Sequence, residues 1–501
     1  MLSIVRSTKN TFASINRIPP EALSLIAHHR NTDKGLLTLT HVCRSWREIF
    51  ISHASLWADL DCGTINKTRL FLKRSKTSPL RIHPTRWFSK EALLLTVPHL
   101  NRLESLSLSK SSTNLLQLIE HLCSPSPFLK TLSLTVTHGE PLALRDSIFG
   151  GNLSSLHDLR LDWLVTNLAW ENMSNPRIFH FCHVPADTIS VTQLLDFFER
   201  APLLHEILLE QALPDFSDAL PGRIVPLPNL KHLTITARPL HTTFMNHLLI
   251  PTGASINQTV YLSDARSPIL SHLPNDFKNL KHLSSITSIT LNFASQMRIR
   301  FEGPSGGHCL SNAWFGRSPF PTNLDCRVLQ SLDVLPISAV ERLAIEHWQS
   351  AISSTAAEES PIYRALHLMV NLRALTLTAC PNHPFLCALN PKRNASRTII
   401  CPRLEKLVVH IGKKERYFTN GLLKAVKERA SRGARLEAVT IIDGDGLLSA
   451  AQVLELRTSV SRIEYRQANA MPNSNAMPNP NAMPNSNAIP RVIDLTGDES
   501  D

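Results

Sequence analysis

The amino-acid sequence predicts an α/β protein in three parts. A small three-helix unit opens the chain, a long body of repeated strand-and-helix phrases stacks in parallel into a horseshoe solenoid, and a disordered tail closes it. Three observations predict this. Apolar residues between Ile18 and Leu60 recur at helical spacing. From about residue 100 one phrase, L-x-x-L-x-L, returns along the chain. From Ala470 the sequence turns to Pro- and Asn-rich hexapeptides with almost nothing to bury.

In the first unit, Pro19 and Pro20 suit a helix start, where a proline loses no hydrogen bond. Glu21 places a carboxylate at the positive end of that helix. Leu23 and Ile26 share a face at spacing i, i+3. Leu39, Val42, Cys43 and Trp46 fall at i, i+3, i+4, i+7 and read as one helical stripe, which Ile49 and Phe50 continue and Leu56-Trp57 closes. The 43 residues from Ile18 to Leu60 cannot bury all these side chains against one another. Some are expected to stay on the surface and to need a partner.

These residues resemble the F-box, in the form of the F-box-like domains of fungal proteins. The matching pieces are Ile18-Pro19-Pro20-Glu21 with Leu23 and Ile26, then Val42-Cys43-Arg44-x-Trp46-Arg47, then Leu56-Trp57. Ile18 stands where leucine is commoner, and the resemblance covers about a tenth of the chain. It implies docking on the Skp adaptor of a cullin-RING (SCF) ubiquitin ligase, with the rest of the chain presenting a protein substrate. It further implies that Pro19, Pro20, Leu23, Ile26, Leu39, Val42, Cys43, Trp46 and Trp57 form the docking surface or support it.

After this unit, Thr64 to Thr77 reads as a helix with Ile65 and Leu72 inward, and Ser78 to Ile82 as a first strand. The phrase then appears as Leu103-Glu-Ser-Leu106-Ser-Leu108, Leu129-Lys-Thr-Leu132-Ser-Leu134 and Leu156-His-Asp-Leu159-Arg-Leu161. Further copies centre on Ile207, Leu233, Ile289, Leu375, Leu407 and Val439, with a degenerate copy expected near Ile178-Phe179. The centres 106, 132 and 159 are 26 and 27 apart, and 375, 407 and 439 are 32 apart. The last two apolar positions alternate, as on a short strand with one buried face. The first packs beneath. Helices are expected at Asn114 to Cys123, Gln193 to Arg200, Thr243 to Leu249 and Leu422 to Ala430. This pattern resembles the leucine-rich repeat family in an irregular form, because most copies lack the ladder asparagine after L-x-L. A non-solenoid α/β domain with leucine-rich strands is the alternative.

Two stretches interrupt the phrase. Phe301 to Cys326 reads as a long Gly/Pro loop whose aromatic residues Trp314, Phe315 and Phe320 are the substrate-contact candidates. Cys380 to Ser396 reads as a Pro/Asn loop. Cys380, His383, Cys387 and Cys401 carry zinc-type donors, but their spacing fits no zinc module, so no metal is expected. Gly303 to His308 lacks the Gly-Lys-Ser/Thr of a phosphate loop, and no nucleophile motif is present. Neither a cofactor nor an enzymatic activity is expected.

The net charge of +11 sits at one end, since residues 1–90 hold 15 Lys/Arg against 5 Asp/Glu. The run from Lys67 to Lys90 lacks a recognised nucleic-acid motif. It reads as a solvated helix face suited to steering toward an acidic partner, and no nucleic acid is expected. Nine cysteines without a CxxC pair suit a reducing compartment, cytoplasmic or nuclear. No apolar run approaches the roughly 18 residues needed to span a membrane, and none is expected as a partner.

The tail ends in Val492-Ile493-Asp494-Leu495, and residues 491–501 carry four acids and one Arg. This resembles a SUMO-interacting motif, which implies strand addition to the edge of a sheet in SUMO or a SUMO-modified protein. The domain boundaries expected are 1–14 lead, 15–62 F-box-like unit, 63–98 linker helix and first strand, 99–466 recognition body and 467–501 tail. The function expected is the substrate-recognition subunit of an SCF-type E3 ubiquitin ligase. The alternative is a repeat scaffold acting outside any ligase.

Overall fold

The computed structural model describes residues 18–29, 33–84, 88–145, 147–166, 172–173, 175–185, 188–212, 222–237, 244–261, 279–280, 283, 285–294, 297–304, 307–314, 324–348, 360–380, 382–393, 398–411, 418–443 and 448–467. The chain is mixed α/β, with a helical amino-terminal region followed by strand-rich sequence. It falls into two compact units, Met1–Leu230 and Lys231–Asp501.

The first unit begins with α1 (Pro20–His29), α2 (Asp33–Leu39) and α3 (Arg44–Ser52), then a 3-10 turn at Ala54–Trp57. Strand β1 (Asp59–Leu60) leads into α4 (Ile65–Ser75) and β2 (Leu80–Ile82). Thr64 caps α4 by accepting from the Lys67 N–H at 3.4 Å. That start sets the helix phase, so the buried stripe is Thr68, Phe71, Leu72 and Ser75 at i, i+3, i+4, i+7. Ile65, expected inward, is therefore exposed.

Strands β1 and β2 continue into β3 (Leu103–Lys110), β4 (Thr131–Val136), β5 (Asp158–Asp162), β6 (Ile178–Cys182) and β7 (Glu206–Glu210), paired in parallel and in chain order. The repeated phrase becomes two apolar rungs. Leu106, Leu132, Leu159, Phe179 and Ile207 lie in one register, and Leu108, Leu134, Leu161, Phe181 and Leu209 in the next; all are buried. The phrase's first leucine is buried as well, on the preceding turn at Leu129 and Leu156 and as the first strand residue at Leu103. The degenerate copy is a strand whose Phe179 packs on Phe197 and Phe198 of the helix Val191–Arg200, ring centroids 4.8 and 5.8 Å away. A reciprocal cap between Ser190 and Gln193 starts that helix.

The second unit holds β8 (His232–Ala237), β9 (Ser255–Tyr261), β10 (Ser288–Asn292), β11 (Met297–Glu302), β12 (His308–Trp314), β13 (Arg342–Glu346), β14 (Ala374–Thr378), β15 (Lys406–Ile411), β16 (Leu436–Asp443) and β17 (Val460–Gln467). In space the order is β8, β9, β12, β11, β10, β13 and on to β17. β11 runs antiparallel to both its neighbours, while the other pairs are parallel.

The expected horseshoe solenoid is not what this structure shows. A solenoid adds each repeat onto the one before it, whereas β10 to β12 enter in reverse order with antiparallel ladders. The connections also vary, from helices through 3-10 turns to a small parallel pair, Leu142–Leu144 with Leu164–Thr166.

The stretch Phe301 to Cys326 is not one long loop. Met297-Arg-Ile-Arg-Phe-Glu alternates apolar and polar, the strand period, and Phe301 is buried in β11. Between β11 and β12 the Gly303 N–H donates to Gly307 O at 3.3 Å. A Cβ on Gly307 would lie 2.0 Å from Thr252 O, so only glycine fits there. Cys326 lies in a helix, Leu324–Ser331.

Cys380 to Ser396 contains a helix, Asn382–Leu389, whose Pro384 sits in the first turn where it displaces no hydrogen bond. The helix expected at Thr243 to Leu249 is a 3-10 turn over residues 244–247 followed by a short strand, Leu248–Leu249.

Candidate docking site

The candidate site is the face of the three-helix unit, and its side chains divide into a support and a surface. Trp57 is 0% exposed. Its indole N–H donates to Phe50 O at 2.8 Å, and its ring meets Phe71 edge-on at 5.0 Å. The Arg74 guanidinium lies over the same ring at 4.2 Å; burial away from carboxylates pushes its pKa down. Trp46 is 7% exposed and meets Phe50 edge-on at 5.7 Å. Leu23 is 2% exposed. These three residues hold the helices together.

The surface is different. Leu25 is 62% exposed, Ile26 48% and Val42 53%, with Pro19 and Pro20 exposed at the start of α1. Leu23 and Ile26 therefore do not share a face: one is interior and the other outward. Leu25 joins this surface although the i, i+3 pattern does not mark it. Adjacent apolar residues on a helix lie about 100° apart, so with Leu23 inward the pair Leu25-Ile26 could not both be sealed.

Leu39, Val42, Cys43 and Trp46 do not form one helical stripe. Helix α2 ends at Leu39, and the Val42 N–H donates to Leu39 O at 3.3 Å within a turn. Cys43 is extended, φ −155° and ψ 172°, and its Sγ accepts from the Trp46 N–H at 3.5 Å as the cap of α3. The Arg47 Nε–H donates to Thr40 O at 2.9 Å and ties the turn to α3. Val42 is thereby held on a braced corner, facing out, while Leu39 and Cys43 are half-buried beside it.

The basic run is partly spoken for. Lys67 pairs with Asp61 at 2.6 Å, and Arg81 pairs with Asp59 and, at 3.7 Å, with Glu104. Hydrogen bonding to Asp59 holds the Arg81 pKa up. The Arg81 pairs link β1, β2 and β3 and the Lys67 pair ties α4 to the end of β1, while Arg69, Lys73, Lys76 and Lys90 stay exposed.

Elsewhere the candidate sites separate. Trp314 is the last residue of β12, while Phe315 and Phe320 lie outside the described residues. So do Val492, Ile493, Asp494 and Leu495. Cys380 and Cys401 are buried, donating to Ile345 O at 3.2 Å and Leu366 O at 3.1 Å; burial pushes the Cys401 thiol up to about 12. Among the described residues no group of three or more His, Cys, Asp or Glu is placed to hold a metal ion. No described helix is long and apolar enough to cross a membrane.

Comparison with known families agrees with the geometry at this end. Residues 15–63 match the F-box-like family model, and this region is an F-box-like domain. No curated protein matches the chain.

Proposed function

We propose that this protein is the substrate-recognition subunit of an SCF-type E3 ubiquitin ligase, binding the Skp adaptor through its F-box-like domain. The observation that carries this reading is the exposed apolar group Leu25, Ile26 and Val42 on a braced three-helix scaffold. Scattered exposed apolar residues are ordinary, but three within one small unit of matching family suit a partner surface. The strands beyond it, whose L-x-x-L-x-L rungs resemble leucine-rich repeats, would hold a protein substrate, with Trp314, Phe315 and Phe320 as contact candidates. The role is that of a non-enzymatic adaptor in the cytoplasm or nucleus. Val492 to Leu495 would bias recruitment toward SUMO-bearing proteins.

Co-purification of the full chain with a Skp adaptor tests the reading. Ile26→Asp and Val42→Asp should abolish capture while leaving the thermal unfolding midpoint nearly unchanged. Capture by both variants at the native level would refute it. Leu23→Ala and Trp46→Ala are poorer tests, because both side chains are interior and their loss would unfold the unit.

One observation favours the scaffold reading, in which the helical unit shields the end of the sheet. Strand β1 pairs with β2, Asp59 with Arg81 and Leu60 with Ile82, so the unit does cover that edge. Covering the edge and docking a partner use different residues, and the adaptor experiment separates them.

A further inference from the structure

The positive charge at this end of the chain does not belong to the docking unit itself. Residues 15–63 hold five Lys/Arg and five Asp/Glu, whereas residues 64–90 hold eight Lys/Arg and no acid. The fold uses some of those eight internally. Lys67 pairs with Asp61, Arg81 pairs with Asp59, and Arg74 lies over Trp57. Arg69, Lys73 and Lys76 differ. All three are exposed, and among the described residues no carboxylate pairs with any of them. Their spacing, i, i+4, i+7, puts them on one side of α4 and its carboxy-terminal cap, in a row about 10 Å long. Exposed Ile65 stands at the head of the same row. Lys73 and Lys76 lie at the negative end of the helix, which favours cations there. Arg69 sits in the middle turn, where no such local reason applies. The helix is packed on the docking unit, with Phe71 edge-on to Trp57 at 5.0 Å.

We propose that this face of α4 is an electrostatic contact for the adaptor: it draws an acidic surface of that partner toward the F-box-like domain and raises the association rate. This role rests on the adaptor reading above. The group Leu25, Ile26 and Val42 sits on a domain of balanced charge, so it exerts no long-range attraction. Docking of such patches without electrostatic help proceeds at about 10⁵–10⁶ M⁻¹ s⁻¹. Cations within about a Debye length of the site, roughly 10 Å at 0.1 M salt, supply the attraction. Exposed ion pairs add little once formed, so the effect falls on the on-rate rather than on the lifetime. A single-stranded nucleic acid suits the face less well, because the one aromatic residue of α4, Phe71, is buried and none is left to stack a base.

Binding of the full chain to an immobilised Skp adaptor, followed by surface plasmon resonance at 50 mM salt, tests the role. The R69Q/K73Q/K76Q variant should associate about fivefold or more slowly and dissociate within about twofold of the native rate. At 0.5 M salt the two association rates should converge. R69E alone, which leaves the last turn of the helix untouched, should slow association by about twofold or more at 50 mM salt. A matched control is R160Q/R177Q/R200Q, which removes the same charge from exposed positions at and beyond β5, at least about 14 Å farther along the sheet from β2. Its association rate should stay within about twofold of native. Equal association of the native and R69Q/K73Q/K76Q chains at 50 mM salt would overturn the proposal. An equal fall in the control would also overturn it, by assigning the effect to net charge. So would unchanged adaptor rates together with a 20-nucleotide RNA that binds the native chain and not the variant, which would assign the face to nucleic acid. A native chain that does not bind the adaptor at all would remove the adaptor reading, and this role with it.

Discussion

Val42 and Trp46 sit four residues apart and meet opposite fates, one on a turn facing solvent and the other packed on Phe50. Their substitutions should differ accordingly. Ile26→Asp or Val42→Asp should weaken adaptor binding at least tenfold, about 1.4 kcal/mol or more. Stability should change by only about 0.5 kcal/mol, as at other exposed positions. Isothermal titration and urea unfolding give the two quantities. Trp57→Ala should instead cost about 3–5 kcal/mol, because it empties a packed site and strands the Phe50 carbonyl. Buried thiols make a second prediction. Burial pushes the Cys309 and Cys401 thiols up to about 12. An unfolded cysteine ionises near about 8.5. The unfolded chain thus loses these protons first as pH rises, so stability is full below about pH 8.5 and falls above it, by about 1.4 kcal/mol per pH unit for each thiol. Urea midpoints at pH 7 and 10 would show the fall. At pH 8 a thiol reagent should label exposed Cys123 in the native protein and reach Cys309 and Cys401 only on unfolding.

The strands were legible because their apolar rungs repeat. Each L-x-x-L-x-L centre from Leu106 to Val439 lies in a strand, and even the copy with Phe179 and Phe181 for leucines was found by its spacing. Antiparallel β11 is harder to read, because Gly303 to Gly307 has loop composition, although Met297, Ile299 and Phe301 beside it alternate at the strand period. Gly307 is sharply constrained. Gly307→Ala should destabilise the second unit by about 1–3 kcal/mol or more, since the new Cβ meets the Thr252 carbonyl and backbone must shift. Denaturant unfolding measures it. Capping was similarly hidden. Cys43 looked like one member of a helical stripe, yet its extended backbone ends one helical run and begins another. Periodicity counts residues and does not see a turn that keeps the same phase.

At the scale of the molecule, the F-box-like domain is joined to the first unit's sheet through β1 and through Trp57 on Phe71. Removing residues 1–62 should uncover the edge of β2 and the Phe71 face, and the remainder should aggregate on gel filtration. That loss is expected whether or not an adaptor binds, so solubility alone does not distinguish a ligase subunit from a scaffold; adaptor capture does. The sequence by itself determined the helical opening, the family of residues 15–63 and the apolar rungs, because each rests on local spacing and residue type. Only the tertiary structure decided that Ile26 and Val42 face outward while Leu23 and Trp46 face in, and that β10 to β12 enter the sheet in reversed order. Those outcomes depend on which neighbours reach each side chain and which strand edge is open. Such contacts are made between segments far apart in the chain, and no local pattern encodes them.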